Sequence, residues 1–219
     1  MPKTLTFLHT SPVHIATFDQ LLAELAPDVP VKHLVDESLL QDARASGITP
    51  ELSQRVRRVI DSAFGDGAAV IVCTCSTIGG CAEQTQYANS QPILRIDRPM
   101  AEQAVAIGGR IIVAAALAST LAPTRELLLD AANHAGKTVT LIDMLCGEAW
   151  TQFERGNYSA YLALIAEYLH AAATSADCIV LAQASMAGAL NIGPRLPIPV
   201  LSSPRSGLEA ALRAFRAAI

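Results

Sequence analysis

The stretch Ala69-Val70-Ile71-Val72-Cys73-Thr74-Cys75-Ser76-Thr77-Ile78-Gly79-Gly80 decides the fold class. A near-continuous apolar strand, Ala69–Cys73, runs into a small, hydroxyl-rich turn that contains glycine. Similar short runs recur at Leu5–Leu8, Val31–Val35, Ile93–Ile96, Ile111–Ala115, Val139–Ile142, Ile179–Ala182 and Val200–Leu201. Between them lie stretches with helical spacing. Thr17–Leu25 has it through Phe18, Leu21, Leu22 and Leu25. Pro50–Ala63 follows Thr49 as N-cap, with proline at the first helical position. Glu83–Ala88, Met100–Ile107, Pro123–Ala135, Tyr158–Thr174 and Gly207–Ala217 complete the helices. Apolar strands alternating with helices imply an α/β fold with parallel sheets covered on both faces. Ligands in such sheets bind beyond the carboxyl ends of the strands.

The chain repeats itself. The shift that lays Thr17-Phe18-Asp19-Gln20-Leu21-Leu22 over Thr124-Arg125-Glu126-Leu127-Leu128-Leu129 also lays Leu34-Val35-Asp36 over Leu141-Ile142-Asp143. It brings Pro92-Ile93-Leu94 over Pro199-Val200-Leu201, Arg98 over Arg205 and Glu102 over Glu209. A register two residues longer lays Val70-Ile71-Val72 over Ile179-Val180-Leu181, Cys75-Ser76 over Ala184-Ser185 and Gly79 over Gly188. Two pseudo-symmetric units follow, one of residues 1–98 with 207–219 and one of 99–206. The strand ends of both are expected to meet in an interdomain cleft.

Composition excludes several classes. Of 219 residues, 51% are apolar and only 16% charged, which rules out intrinsic disorder. A net charge of −4 without a basic stripe argues against nucleic acid. The longest charge-free runs, Gly67–Ala82 and Cys178–Pro194, fall short of the roughly 20 apolar residues of a membrane span. His9, Pro12 and His14 interrupt the first apolar run, so no signal peptide is read and a cytoplasmic location is expected. Five cysteines without a CxxC pair point to free thiols in a reducing compartment. The apolar surplus hints at a homodimer.

Cys75 stands where a strand ends and a helix begins. Free N–H groups and partial positive charge there favour a thiolate able to act as base or nucleophile. Ser76, Thr77 and the backbone N–H groups suit a carboxylate. Cys73 shares the face parity of Cys75 but lies inside the strand, as core. Thr10 and Ser11 follow the first strand, and Ser119 and Thr120 follow its counterpart. A hydroxyl pair before a helix is either an anion site or an ordinary N-cap. Ser185 matches Ser76, and Ala184 takes the place of Cys75. His9 and His14 are candidate acids or bases, though a histidine near a strand end is more often a structural hydrogen-bonder. Asp36 and Asp143 are expected to pair or cap, and Arg98 and Arg205 to face solvent or an interface. His33, His134 and His170 form no metal-ligand spacing, so no metal is expected. No nucleotide-binding glycine pattern is present, so no nucleotide cofactor is expected.

At these residues the chain resembles the aspartate/glutamate/hydantoin racemase superfamily, which includes maleate isomerase and arylmalonate decarboxylase. The resemblance rests on the pseudo-repeat, the Cys75-Ser76-Thr77 turn after the third strand, and the hydroxyl turns after the first strand of each half. It implies two flavodoxin-like α/β domains with the active site between them and no cofactor. In the racemases of this group, one cysteine from each half flanks the substrate's α-carbon. Cys75 corresponds to the first. Thr10, Ser11, Ser76, Thr77, Ser119, Thr120 and Ser185 are then candidate carboxylate binders. Ala184 departs from the pattern, because alanine has no proton to give.

The expected activity is a cofactor-independent racemase or isomerase acting at the α-carbon of a small carboxylate, an amino acid or related carbon acid. Cys75 is its proton-transfer residue, and Ser185 or His14 serves the second face. A decarboxylase or lyase with a single cysteine is one alternative, and covalent chemistry at Cys75 is another. A third is a non-catalytic protein that binds small carboxylates.

Overall fold

The computed structural model describes residues 3–88 and 90–219. Met1 and Pro2, the start of the stretch read above for a leader, and Asn89 lie outside them. In chain order the elements are β1 (Thr4–His9), α1 (Val13–Leu25), β2 (Val31–Val35), α2 (Glu37–Ser46), α3 (Pro50–Gly65), β3 (Ala68–Cys73), α4 (Ser76–Gln84), β4 (Ile93–Arg95) and α5 (Arg98–Ile107). The same order then recurs as β5 (Arg110–Ala115), α6 (Leu121–His134), β6 (Thr140–Leu145), α7 (Gly147–Glu154), α8 (Tyr158–Ala172), β7 (Cys178–Leu181), β8 (Val200–Leu201) and α9 (Ser203–Ala218). A 3-10 segment, Ala184–Asn191, stands where α4 stands in the first half.

Two four-stranded, all-parallel sheets result, with orders β2-β1-β3-β4 and β6-β5-β7-β8. This is the expected α/β class with two parallel sheets. The central strands β3 and β7 are buried along their whole length, as their apolar runs require. Residues 1–97 with 204–219 form one compact unit, and residues 98–203 the other.

In the first unit, Leu5, Phe7, Val70 and Val72 pack against α1 and α9. Leu8, Ile71 and Cys73 face α2, α3 and α4 on the other side. In the second unit, Ile111, Val113 and Val180 meet α5 and α6, and Ile112, Ala114 and Ile179 meet α8. Each unit therefore takes its last helix from the end of the other half of the sequence.

Local chemistry sets most boundaries. The Thr49 hydroxyl accepts from the Leu52 N–H at 3.2 Å, with Pro50 in the first turn of α3. Asp36 caps α2 through the Ser38 N–H at 3.1 Å and pairs with Arg55. Asp143 lies inside β6 and pairs with Arg125 at 2.7 Å. Arg98 pairs with Asp130, and Arg205 with Glu24. Two helices, α2 and α7, went unread. Each buries only one or two residues (Leu39 and Ala43; Ala149), which leaves too little periodicity to see.

Gly207 lies in α9 where the helix crosses the end of β4. A Cβ there would run into the Ile96 carbonyl oxygen and sit 2.6 Å from the Ile96 side chain. Helix propensity alone would make Gly207→Ala stabilising by about 1 kcal/mol. The collision is with backbone, so overpacking of about 1–3 kcal/mol wins. The Gly207→Ala protein should unfold at a lower urea concentration than wild type. A higher midpoint would show that α9 docks less closely than described.

Candidate functional site

Cys75 is the N-cap of α4, with extended backbone at φ −102° and ψ 115°. The chain leaves β3 through two strand-end bonds: Thr74 N–H to the Leu8 carbonyl and Ile96 N–H to the Cys73 carbonyl, each 3.0 Å. It then turns into a helix whose first N–H groups have no helical partner. The thiol is 8% exposed. The helix start expected after Cys75 is found: α4 runs from Ser76 to Gln84. The helix read over Glu83–Ala88 is instead the end of α4 and a 3-10 turn, Thr85–Ala88. The glycines at 79 and 80, poor helix formers, interrupt the pattern between the two.

The glycine at 79 answers to Arg95. A Cβ on Gly79 would lie 3.1 Å from the Arg95 Nε, so the guanidinium lies close against the bare helix backbone. Arg95 is 6% exposed and donates to both carboxylate oxygens of Asp97, at 2.7 and 3.0 Å. Burial pushes the Asp97 carboxyl up. The Arg95 charge and hydrogen bonds from Arg95 and Ser76 outweigh it, and the net direction is down. The Ser76 hydroxyl is thus engaged with Asp97. The Thr77 hydroxyl, one residue on, is buried and has no hydrogen-bond partner. An orphaned buried hydroxyl costs free energy until something binds it. It is the better placed of the two to receive a ligand.

Thr10 is buried and Ser11 half-buried, between β1 and α1. Beside them lies a row of rings. His9 is fully buried; its Nδ1 is 2.8 Å from the Thr74 hydroxyl and its Nε2 2.8 Å from His33 Nδ1. His33 Nε2 reaches Asp19 at 3.0 Å. Burial, helped by His33 and His14, pushes His9 down to about 3, and burial pushes His14 down to about 4. Both ring nitrogens of His9 are occupied, which removes it as a candidate acid or base.

The second unit carries the counterpart turns. The Thr120 hydroxyl donates to the Leu117 carbonyl at 2.7 Å and so closes its own turn. The Ser119 hydroxyl is buried without a partner. The Gln183 side-chain oxygen accepts from the Ala116 N–H at 2.7 Å, tying the ends of β5 and β7 together as Thr74 ties those of β1 and β3. Ala184 opens the 3-10 segment, and the Ser185 hydroxyl lies 2.8 Å from the Tyr161 hydroxyl. Tyr161, 1% exposed, was read only as part of a helical stripe. A buried phenol needs a partner, and that need is its one sequence signal. Burial pushes Tyr161 upward.

All five cysteines are buried and unpaired. Burial drives the Cys73 thiol upward, as befits a core residue. Among the described residues no group of three or more His, Cys, Asp or Glu side chains could hold a metal. Nor is any helix long and apolar enough to cross a membrane.

The family model for Asp/Glu/hydantoin racemase matches residues 13–214. Solved structures share the fold. A glutamate racemase from Bacillus anthracis superposes with a TM-score of 0.68 at 14% identity, over 98% of this chain and 82% of the other. Allantoin racemase from Pseudomonas fluorescens gives 0.63 at 18% identity, over 100% and 92%. Unliganded arylmalonate decarboxylase gives 0.51 at 17% identity, over 98% and 93%. No curated protein matches the chain by sequence.

Two outcomes follow from the buried charges. Arg95→Met leaves Asp97 without its cation and should cost about 3–5 kcal/mol in denaturant unfolding, and adding Asp97→Asn should restore much of that. Equal losses in the single and double variants would deny the pairing. His9 and His14 lie below the ordinary 6.5, so the unfolded chain takes up their protons first. Their contribution to stability is complete above about pH 6.5 and is lost as pH falls toward 4 and then 3. Unfolding midpoints measured from pH 7 to 4 should decline, and less steeply in His14→Phe.

Proposed function

Because the chain belongs to the Asp/Glu/hydantoin racemase family, we propose that it is a cofactor-independent enzyme acting at the α-carbon of a small carboxylate, with Cys75 as its proton-transfer thiol. The observation that carries this reading is the start of α4. A cysteine stands at the N-cap position, and a buried hydroxyl without a partner, Thr77, follows within the first turn of the helix. The N–H groups and Thr77 hold the carboxylate. Cys75 as thiolate takes the α-proton: the C–H bond breaks, an S–H bond forms, and the electron pair moves into the carboxylate as an enolate. The same donors stabilise that charge because they are fixed before it develops. Asp97 keeps Ser76 in place. The five unpaired thiols fit a reducing cytosol.

Racemase or isomerase chemistry is the first reading. Ala184 favours a second, in which Cys75 alone serves one face and the product is protonated there, as in a decarboxylase or other lyase. An alanine at the position matching Cys75 supplies no proton to the opposite face.

Amino acids, hydantoins and substituted malonates incubated in heavy water test both readings. Wild-type protein should place deuterium at the α-carbon of its substrate, and Cys75→Ala should lose about 10²–10⁴-fold of that rate. Label on one face only supports the single-thiol reading, while loss of optical purity supports the racemase. Ala184→Cys should then convert one-faced exchange into racemisation. Ligand binding without exchange, unchanged in Cys75→Ala, would make the protein a carboxylate binder and end the proposal.

A further inference from the structure

We propose that His9 is a positioning residue: held as the Nε2–H tautomer by His33 and Asp19, it fixes the Thr10–Ser11 turn and the Cys75 turn against each other. The inference rests on the reading of Cys75 as the reacting group.

The tautomer follows from counting protons. The Asp19 carboxylate only accepts, so His33 Nε2 donates to it at 3.0 Å. With one proton per ring, His33 Nδ1 is bare, and His9 Nε2 donates to it at 2.8 Å. His9 Nδ1 is bare in turn and accepts from the Thr74 hydroxyl at 2.8 Å. That contact is shorter than the 3.2 Å from the same hydroxyl to the Leu8 carbonyl, which already accepts the Thr74 N–H at 3.0 Å. The whole row points one way, from Thr74 to Asp19. A proton on His9 Nδ1 would turn the row around at Thr74.

The surroundings enforce the arrangement. Phe7 stacks on His9 and His33 at centroid distances of 5.8 and 5.2 Å, and Phe18 closes on His9 at 5.9 Å. The titratable and charged groups facing His9 are His33 from β2 and His14 from α1, with Asp19 of α1 behind His33. From β3 only the Thr74 hydroxyl faces it. The His9 carbonyl meanwhile accepts from the Asp36 N–H at 2.9 Å. His9 is one peptide from Thr10, and Thr74 is one peptide from Cys75. The ring therefore clamps two turns just where the β1 and β3 ladder ends. Misplacement of a reacting group by about 1 Å costs roughly a hundredfold in rate.

Histidine ring ¹⁵N shifts near neutral pH test the tautomer directly. His9 should carry its proton on Nε2. A proton on His9 Nδ1 overturns the inference. The deuterium-exchange assay tests the consequence. His9→Phe keeps a ring in the stack and should lower kcat about tenfold or more with KM little changed. His9→Asn keeps an acceptor at the Nδ1 position, facing the Thr74 hydroxyl, and should recover most of it. Equal losses in the two variants, or none in His9→Phe, overturn the inference. If His9→Phe does not fold, His33→Leu takes its place, since it frees the His9 tautomer and should lower kcat while leaving His9 present. If wild type exchanges no substrate, the proposed function fails, and the rate of Cys75 alkylation by iodoacetamide decides this point instead. A rate unchanged by His9→Phe then overturns it.

Discussion

The Arg95 guanidinium, buried beneath α4 and held by both oxygens of Asp97, is the contact that the candidate site depends on. A buried cation needs a partner, and this one also needs space against a helix backbone. Gly79 supplies the space. The helix starts at Ser76, one residue after Cys75. Asp97 then reaches Ser76, so the ion pair and the first turn of α4 are one assembly.

The two units repeat one order of strands and helices and depart from each other at the corresponding turn. In the first, Thr74 ties β1 to β3, Cys75 caps a nine-residue α-helix, and the Thr77 hydroxyl is left over. In the second, Gln183 ties β5 to β7, Ala184 opens a 3-10 segment, and Ser185 is engaged by Tyr161. The strand-end knitting is kept in both while the thiol is not. Scaffold and chemistry are separable in this fold, because the ladder needs only a side chain that can bond the neighbouring strand end. The family match over residues 13–214 fits a shared scaffold and leaves the substrate to the turns.

Much of this was legible in the chain. β2 and β8 have the bounds read from their apolar runs, and α3 begins at the Thr49-Pro50 cap. The repeat announced two units because each parallel sheet needs the same succession of buried strands and covering helices. Cys75 stood out because it follows an apolar run and precedes small hydroxyl residues. Thr10, Ser11, Ser119 and Thr120 stood out for the same reason, yet their hydroxyls are not equivalent. Thr120 is spent on Leu117, and Ser119 is free of any partner. Which hydroxyl remains available depends on carbonyl positions that no spacing rule supplies.

The sequence by itself determined the α/β class, the two-fold repeat and the candidate turn at Cys75, because these follow from local periodicity and capping. Only the tertiary structure set the Arg95 guanidinium against Gly79 of α4. Only it brought His9, His33, Asp19 and Thr74 into one hydrogen-bonded row, from two strands, a helix and the turn after β3. Only it paired Ser185 with Tyr161. Long-range contacts of this kind are set by how the sheet stacks its strands, and that arrangement leaves no period in the chain to read.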